Sequence, residues 1–463
     1  MKKLLFTLLT NTLIVIISYA QDITGPWNGV LKVGGTQLRV VVNISKTEEG
    51  YKSTLDSPDQ GAKGIAISKT TFENSKLSFE IPVAKIEYMG EWQNEKFIGI
   101  FKQNGKEIPL ELNRGGVSVE AVKRPQEPQK PYPYYSEDVT FENPKAQISL
   151  AGTLTLPQKE GVFPAVILIS GSGPQNRDEE LLGHKPFLVI SDYLTRNGIA
   201  VLRFDDRGVG QSKGVFKTAT SADNASDVES AVAYLKTRKE IKQIGLMGHS
   251  EGGLIAPIVA ANNKNVAFIV LLAGTGIRGD KLLLMQQELI SRANGESEKE
   301  IELSKKINEK AFELIVKSNN DEQLKKDLAT YMSQVLKENP EIKPKNISDE
   351  DFVAEQVKSI VGPWMQYFLK YDPASSLTKV KCPILALNGE KDLQVPAKEN
   401  LTAIERIAKN AGNKDVTTKI YAGLNHLFQE CKTGSPAEYP TIQQTFSPLV
   451  MEDFTQWIKQ KTK

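Results

Sequence analysis

The chain has 463 residues, 58 basic against 56 acidic, with three histidines and two cysteines. That length exceeds one ordinary domain and allows two or three compact units, each burying a core of its own. Removing Lys2 and Lys3 brings the formal charge from +2 to zero, and so balanced a surface excludes an electrostatic case for nucleic acid or an acidic membrane as partner.

Residues 1–20 read as a secretory signal peptide: a basic start at Lys2 and Lys3, an apolar centre from Leu4 to Ile17, then Ser18 and Ala20 at the cleavage positions. A transmembrane anchor needs about 20 apolar residues, and Thr7, Thr10, Asn11 and Thr12 interrupt a shorter run. No cysteine follows Ala20 to carry a lipid. The expectation is export to the periplasm or the extracellular space without a stable membrane anchor. Cys382 precedes an apolar strand and Cys431 follows the loop at its far end, a separation of roughly 20 Å by strand rise, which argues against a disulfide.

From Asp22 to about Arg114 apolar residues alternate: Leu38, Val40, Val42 and Ile44; Leu77, Phe79 and Ile81; Ile108, Leu110 and Leu112. Such a pattern implies half-buried antiparallel strands, with Gly34-Gly35, Ser57-Pro58-Asp59 and Asn104-Gly105 at turns. Residues 22–115 are therefore expected to form a small β-barrel or sandwich. Its Trp27, Tyr51, Tyr88 and Trp92 suit a core, the commoner use of aromatics in small β domains, or a sugar or lipid site. Residues 116–135, with Pro125, Pro128, Pro131 and Pro133, read as a stiff extended linker.

Residues 136–463 alternate strands and helices. Strands are expected near 137–142, 148–156, 165–170, 199–205, 244–248, 268–273, 384–388 and 416–421, and helices near 186–197, 222–236, 251–262 and 447–459. Near-continuous apolar strands separated by helices imply an α/β domain with a doubly wound, mostly parallel sheet. The first strands, lacking helices between them, are expected to pair antiparallel. Residues from about 276 to 371 break the alternation, being charge-rich and helical in pattern. An insertion after a strand's carboxyl end lies over the ligand crevice of such a sheet, so this segment reads as a helical cap. Trp364, Phe368 and Tyr371 fall at i, i+4 and i+7, on one helical face, either packing the cap down or lining a substrate.

The stretch Gly248-His249-Ser250-Glu251-Gly252-Gly253 lies between the apolar run from Ile244 and the helical run from Leu254. Strand, sharp turn and helix with minimal side chains two positions either side of a serine make a nucleophile elbow, with the helix's amides beside Ser250. Such a serine needs a base and an acid to orient it. Of the three histidines, His249 leaves the elbow in another direction and reads as support. His184 lies in a loop before a helix, as surface, cap or entrance. His426 follows the last strand and is the expected base. Asp392, after the strand ending near Asn388, is the expected acid; Glu390 is its neighbouring rival, and Asp205 or Asp206 would break the chain order. Oxyanion donors are expected from the amides of Glu251 and Ser172, the latter in the glycine-bearing loop Ser170-Gly171-Ser172-Gly173-Pro174.

The elbow, the run from Ser170 to Asp178 and the run Arg203-Phe204-Asp205-Asp206-Arg207-Gly208-Val209-Gly210-Gln211-Ser212 together resemble the α/β-hydrolase superfamily. The chain is most similar to its secreted bacterial esterase and serine-aminopeptidase-like group, in which a β module accompanies the hydrolase. The resemblance runs from about Glu137 onward and implies a mostly structural role for Asp206-Arg207-Gly208. Ser170 stands where many relatives have histidine, which leaves the substrate class open.

A serine hydrolase cleaving short or medium acyl esters through an acyl-enzyme is the leading expectation. A serine peptidase of aminopeptidase or acyl-peptidase type, acting on a short peptide, uses the same groups; there a cap carboxylate such as Glu288 or Asp372 would meet the free amine. An inactive binding module on the same fold is the third reading. Three scattered histidines and two distant cysteines offer no metal cluster, and Gly208-Val209-Gly210 lacks dinucleotide spacing, so no cofactor or metal is expected.

Overall fold

The computed structural model describes residues 22–463 except 34–35, 59–61, 104–105, 115–122 and 344–346. The signal-peptide reading, the turns at Gly34-Gly35, Asp59 and Asn104-Gly105, and the first part of the linker lie outside the described residues.

Period-two alternation produces β1 (Gly25–Val33), β2 (Thr36–Thr47), β3 (Gly50–Ser57), β4 (Ala62–Ala66), β5 (Lys69–Glu73), β6 (Lys76–Ile81), β7 (Ile86–Gln93), β8 (Lys96–Gln103) and β9 (Lys106–Asn113). They hydrogen-bond in the order β2-β1-β9-β8-β7-β6-β5-β3, and β2 pairs back onto β3, so eight strands close into an antiparallel barrel with β4 attached to β3. Closure leaves few free edges. Leu77, Phe79, Phe97, Phe101 and Leu112 are buried on the inner side, with Trp27 edge-on to Phe97 at 4.7 Å and Tyr88 stacked on Phe79 at 5.0 Å. Trp27 and Tyr88 thus help to fill the interior, and each such side chain contributes about 1.5–3 kcal/mol by burial. Tyr51 and Trp92 are half-buried.

The second compact unit contains Ser118–Lys463. It is built from β10 (Tyr135–Asn143), β11 (Ile148–Leu156), β12 (Phe163–Ile169), α1 (Pro186–Arg196), β13 (Ala200–Phe204), α2 (Ser221–Lys236), β14 (Ile241–His249), α3 (Gly252–Ala260) and β15 (Val266–Leu272). The cap follows as α4 (Gly279–Ala293), α5 (Glu298–Lys317), α6 (Asp321–Glu338), α7 (Asp349–Ile360) and α8 (Pro363–Lys370). The sheet resumes with α9 (Ala374–Leu377), β16 (Ile384–Gly389), α10 (Ala397–Asn410), β17 (Val416–Tyr421) and α11 (Pro448–Lys461).

Its sheet order is β10-β11-β13-β12-β14-β15-β16-β17. β11 pairs antiparallel with both β10 and β13, and every later pairing is parallel. Two apolar layers sandwich it: Val228, Leu235, Ile255 and Ile404 belong to one cluster, Phe187, Val450, Phe454 and Ile458 to the other. Helix α10 was not foreseen in the sequence, although Leu401, Ile404 and Ala408 are buried at helical spacing. The cap has a core of its own around Phe312, Ile315, Leu328 and Val353.

The end of the linker departs from expectation. Arg124 donates to the carbonyls of Gly183 (3.1 Å), Leu182 (3.3 Å), Pro440 (2.9 Å) and Ile442, and Gln126 donates to that of Phe446 (2.6 Å). Proline sets this segment's direction, and side-chain hydrogen bonds tie it to the second unit, so its end is a strap on that unit rather than an extended linker. Cys382 and Cys431 are both free thiols.

Candidate active site

Parallel register brings five strand ends together. Ile169 pairs with Gly248, His249 with Leu272, Leu272 with Leu387, and Gly389 with Tyr421. The loops after β12, β14, β15, β16 and β17 therefore emerge side by side, carrying Ser172, Ser250, Thr275, Asp392 and His426 in turn.

Ser250 has φ 53°, a left-handed conformation that costs an ordinary residue about 1–2 kcal/mol. Its N–H donates to the Leu272 carbonyl (2.9 Å), and its carbonyl accepts from Gly253 (2.9 Å), which starts the helix directly. The flanking glycines are required by contact. A Cβ at Gly248 would lie 2.0 Å from the Gly252 carbonyl oxygen, and one at Gly252 would lie 2.1 Å from that of Ile169.

His426 Nδ1 lies 2.8 Å from Asp392 Oδ2, with both residues buried. Asp392 Oδ1 accepts from the amides of Gln394 and Val395, each at 2.8 Å, which fixes the carboxylate's orientation. With Nδ1 so engaged, Nε2 is the imidazole nitrogen that can serve the cavity. Ser250 and His426 line one cavity of about 200 Å³ with Gly171, Ser172, Glu251 and Thr275. The rival Glu390 instead accepts from the Gly423 amide (3.0 Å).

The Gly171 amide donates to Glu179 Oε1 (2.7 Å), which leaves the amides of Ser172 and Glu251 as the candidate oxyanion donors on the cavity wall. Below this loop, Ser170 Oγ donates to Asp206 (2.7 Å), as does the Gln175 amide (2.9 Å). Burial pushes the Asp206 carboxyl up to about 7, against the pull of these two donors. Arg207 pairs with Asp227 (2.7 Å) and Arg177 with Asp205 (2.8 Å), so the charged run after β13 anchors loops.

Of six residues weighed for the cavity wall, four are absent from it: His184, Tyr371, Glu288 and Asp372. His184 is fully buried, its Nε2 2.8 Å from the Tyr439 carbonyl and its Nδ1 3.2 Å from Thr445 Oγ1; it locks two loops together and is not at the entrance. Tyr371, at the C-cap of α8, stacks on Tyr367 at 5.5 Å and packs on the same apolar cluster as Trp364 and Phe368, but does not line the cavity. Trp364 and Phe368 line the cavity and also latch the cap: they stack at 5.1 Å, and Trp364 Nε1 donates to both oxygens of Glu251 (2.9 Å each). Glu288 is held by Lys305 and Arg292, and Asp372 caps a turn at Ala374 (2.9 Å); the cavity wall contains neither.

Sequence reasoning missed two buried polar residues of the wall. Glu179 sits in the charged run Arg177-Asp178-Glu179-Glu180, which reads as solvated, yet it is buried against His249 (3.0 Å). Thr275 is buried, with no hydrogen-bond partner for Oγ1 among the described residues. Among those residues no helix is long and apolar enough to cross a membrane.

Residues 187–327 match the family described as serine aminopeptidase, S33. Esterase EstD of Thermotoga maritima is 25% identical over 312 residues, covering 66% of this chain and 65% of its own, so the match spans just under two thirds of that relative. An uncharacterised 31.7 kDa protein of Escherichia coli is 24% identical over 323 residues, or 68% of this chain and 97% of its own. Among solved structures, an esterase of Pyrococcus furiosus aligns over 75% of this chain and 100% of its own at 15% identity, with a TM-score of 0.44. The sheet order, the elbow and the sequence matches make the second unit an α/β-hydrolase. Its sequence is similar to the esterase and serine-aminopeptidase-like members of that superfamily.

Proposed function

We propose that this hydrolase cleaves carboxylic esters through an acyl-enzyme. The observation that carries the reading is the buried Asp392–His426 pair opening onto the cavity that holds a left-handed Ser250. In this reading Ser250 Oγ attacks the ester carbonyl while His426 Nε2 takes its proton. Negative charge on the carbonyl oxygen is met by the amides of Ser172 and Glu251. The protonated His426, held by Asp392, passes its proton to the leaving alcohol, and water then repeats the sequence on the acyl-enzyme.

A cavity of about 200 Å³ lies below the usual 300–1,000 Å³ of drug-sized sites, and Leu181, Leu282, Leu283, Val395 and Leu427 give it apolar walls. Both features suit short acyl groups. The cavity's two carboxylates, Glu179 and Glu251, are each already engaged, which favours an ester over a substrate with a free amine. Ser250→Ala, assayed on esters of graded chain length beside aminoacyl and peptidyl amides, tests the proposal. The expected result is wild-type turnover highest on short esters and abolished in the variant; undiminished turnover in the variant refutes it, and a preference for aminoacyl amides makes the enzyme a peptidase.

A further inference from the structure

The three loops that carry the reacting groups are joined by a buried ion pair that the hydrolytic steps above do not use. Glu179 has φ 50°, a conformation unfavourable for a residue with a Cβ, and in that conformation it is held inside the fold. Its Oε1 accepts from the Gly171 amide (2.7 Å) and faces His249 Nδ1 (3.0 Å), while His249 Nε2 donates to the carbonyl of His426 (3.0 Å). Two acceptors flank the His249 ring, so both nitrogens donate and the ring is an imidazolium. Burial opposes that charge, but the adjacent Glu179 carboxylate, the His426 carbonyl and Asp392 together outweigh it and raise the affinity of His249 for a proton.

Each contact touches a neighbour of a reacting group. Gly171 precedes Ser172, His249 precedes Ser250, and His426 itself supplies the carbonyl. Gly171 also backs directly onto the nucleophile, since a Cβ there would lie 3.2 Å from that of Ser250. The rings of His249 and His426 are 4.8 Å apart.

A buried ion pair returns little net stability, because desolvation offsets its attraction. This one also leaves Glu179 Oε2 buried without a hydrogen bond among the described residues, beside the apolar Pro186, Phe187, Ile190 and Leu427. What the pair does supply is direction, since charge-assisted hydrogen bonds are shorter and stronger than neutral ones. Resting on the serine-hydrolase reading, we propose that Glu179 and His249 are positioning residues: they set the Ser172 amide and the His426 ring at fixed places about Ser250.

The test uses the full chain, a fluorophosphonate probe and a p-nitrophenyl ester of butyrate. Glu179→Ala removes the acceptor from Gly171. Glu179→Gln keeps at the Oε1 place one oxygen for both the Gly171 amide and His249 Nδ1, retaining these two bonds without the carboxylate's charge. The expected result is that Glu179→Ala lowers kcat about a hundredfold, the scale of a lost oxyanion donor, with KM within about threefold. Probe labelling slows in step, and Glu179→Gln regains at least about tenfold of the loss. A folded Glu179→Ala chain with wild-type kcat and labelling overturns the proposal, as does a Glu179→Gln chain no better than alanine. If Glu179→Ala does not fold, His249→Asn reads the same link from its other end, and wild-type kcat there overturns it equally. A wild-type chain that the probe leaves unlabelled overturns the hydrolase reading itself.

Discussion

Replacing Asp392 by asparagine changes one atom, and the surrounding bonds decide what that atom does. Oδ1 accepts two backbone N–H groups, from Gln394 and Val395. An asparagine must keep its oxygen there, because turning the NH2 toward two donors would leave buried groups unpaired at about 1–3 kcal/mol each. The NH2 then faces His426 Nδ1 across the 2.8 Å now spanned by the carboxylate. A donor at that position makes Nδ1 an acceptor and moves the imidazole proton to Nε2, the nitrogen that has to accept the serine proton. The fold survives while the tautomer is wrong, and an error of this kind costs about 10⁴ in kcat, or about 5.5 kcal/mol of barrier. Steady-state kinetics on a short ester, beside a thermal melt of each chain, measures both parts. An Asp392→Asn enzyme within tenfold of wild-type kcat refutes the reasoning, since it would mean that Asp392 does not set the tautomer.

Two further predictions concern His184 and Trp364. His184 is fully buried, and burial pushes its pKa from 6.5 down to about 4, only partly offset by the Tyr439 carbonyl. The unfolded chain takes up a proton near pH 6.5 that the folded chain resists until about pH 4, so this stability is complete above 6.5 and lost as pH falls toward 4. Denaturant titrations should show about 2–3 kcal/mol more loss over that range in wild type than in His184→Gln, and parallel curves would refute it. Trp364→Phe keeps the ring stacked on Phe368 but withdraws the donor from the Glu251 carboxylate, leaving it Ser221 Oγ at 2.6 Å. A lost hydrogen bond to a charged group lowers the unfolding free energy by about 1.5–3 kcal/mol; an unchanged denaturation midpoint contradicts the latch.

Most of the architecture was legible because burial dictates period. β11 and β17 have the bounds read from the sequence, and Ser250, Asp392 and His426 could be singled out because each follows a strand, β14, β16 and β17 in turn. Helix α10 escaped although its pattern is amphipathic, with Leu401, Ile404 and Ala408 buried at helical spacing and Lys398, Glu399 and Arg406 on the exposed face. Tyr371 shares an apolar cluster with Trp364 and Phe368 as helical spacing implies, and that spacing alone could not tell packing from substrate lining. Glu179 was invisible for a deeper reason. Nothing local distinguishes a buried carboxylate from a solvated one; its partners Gly171 and His249 come to it only through the parallel register of β12 and β14.

The backbone at Ser250 bears on how such a protein would change if its reaction ceased to matter. A glycine at that position would escape the left-handed penalty of about 1–2 kcal/mol, an appreciable part of the 5–15 kcal/mol that holds a typical fold together. Folding alone therefore favours losing the nucleophile, whereas it favours keeping Leu254 and Ile255 a few residues later, both buried in the core. Serine at 250 is a residue that stability would discard and that the proposed acyl transfer would retain.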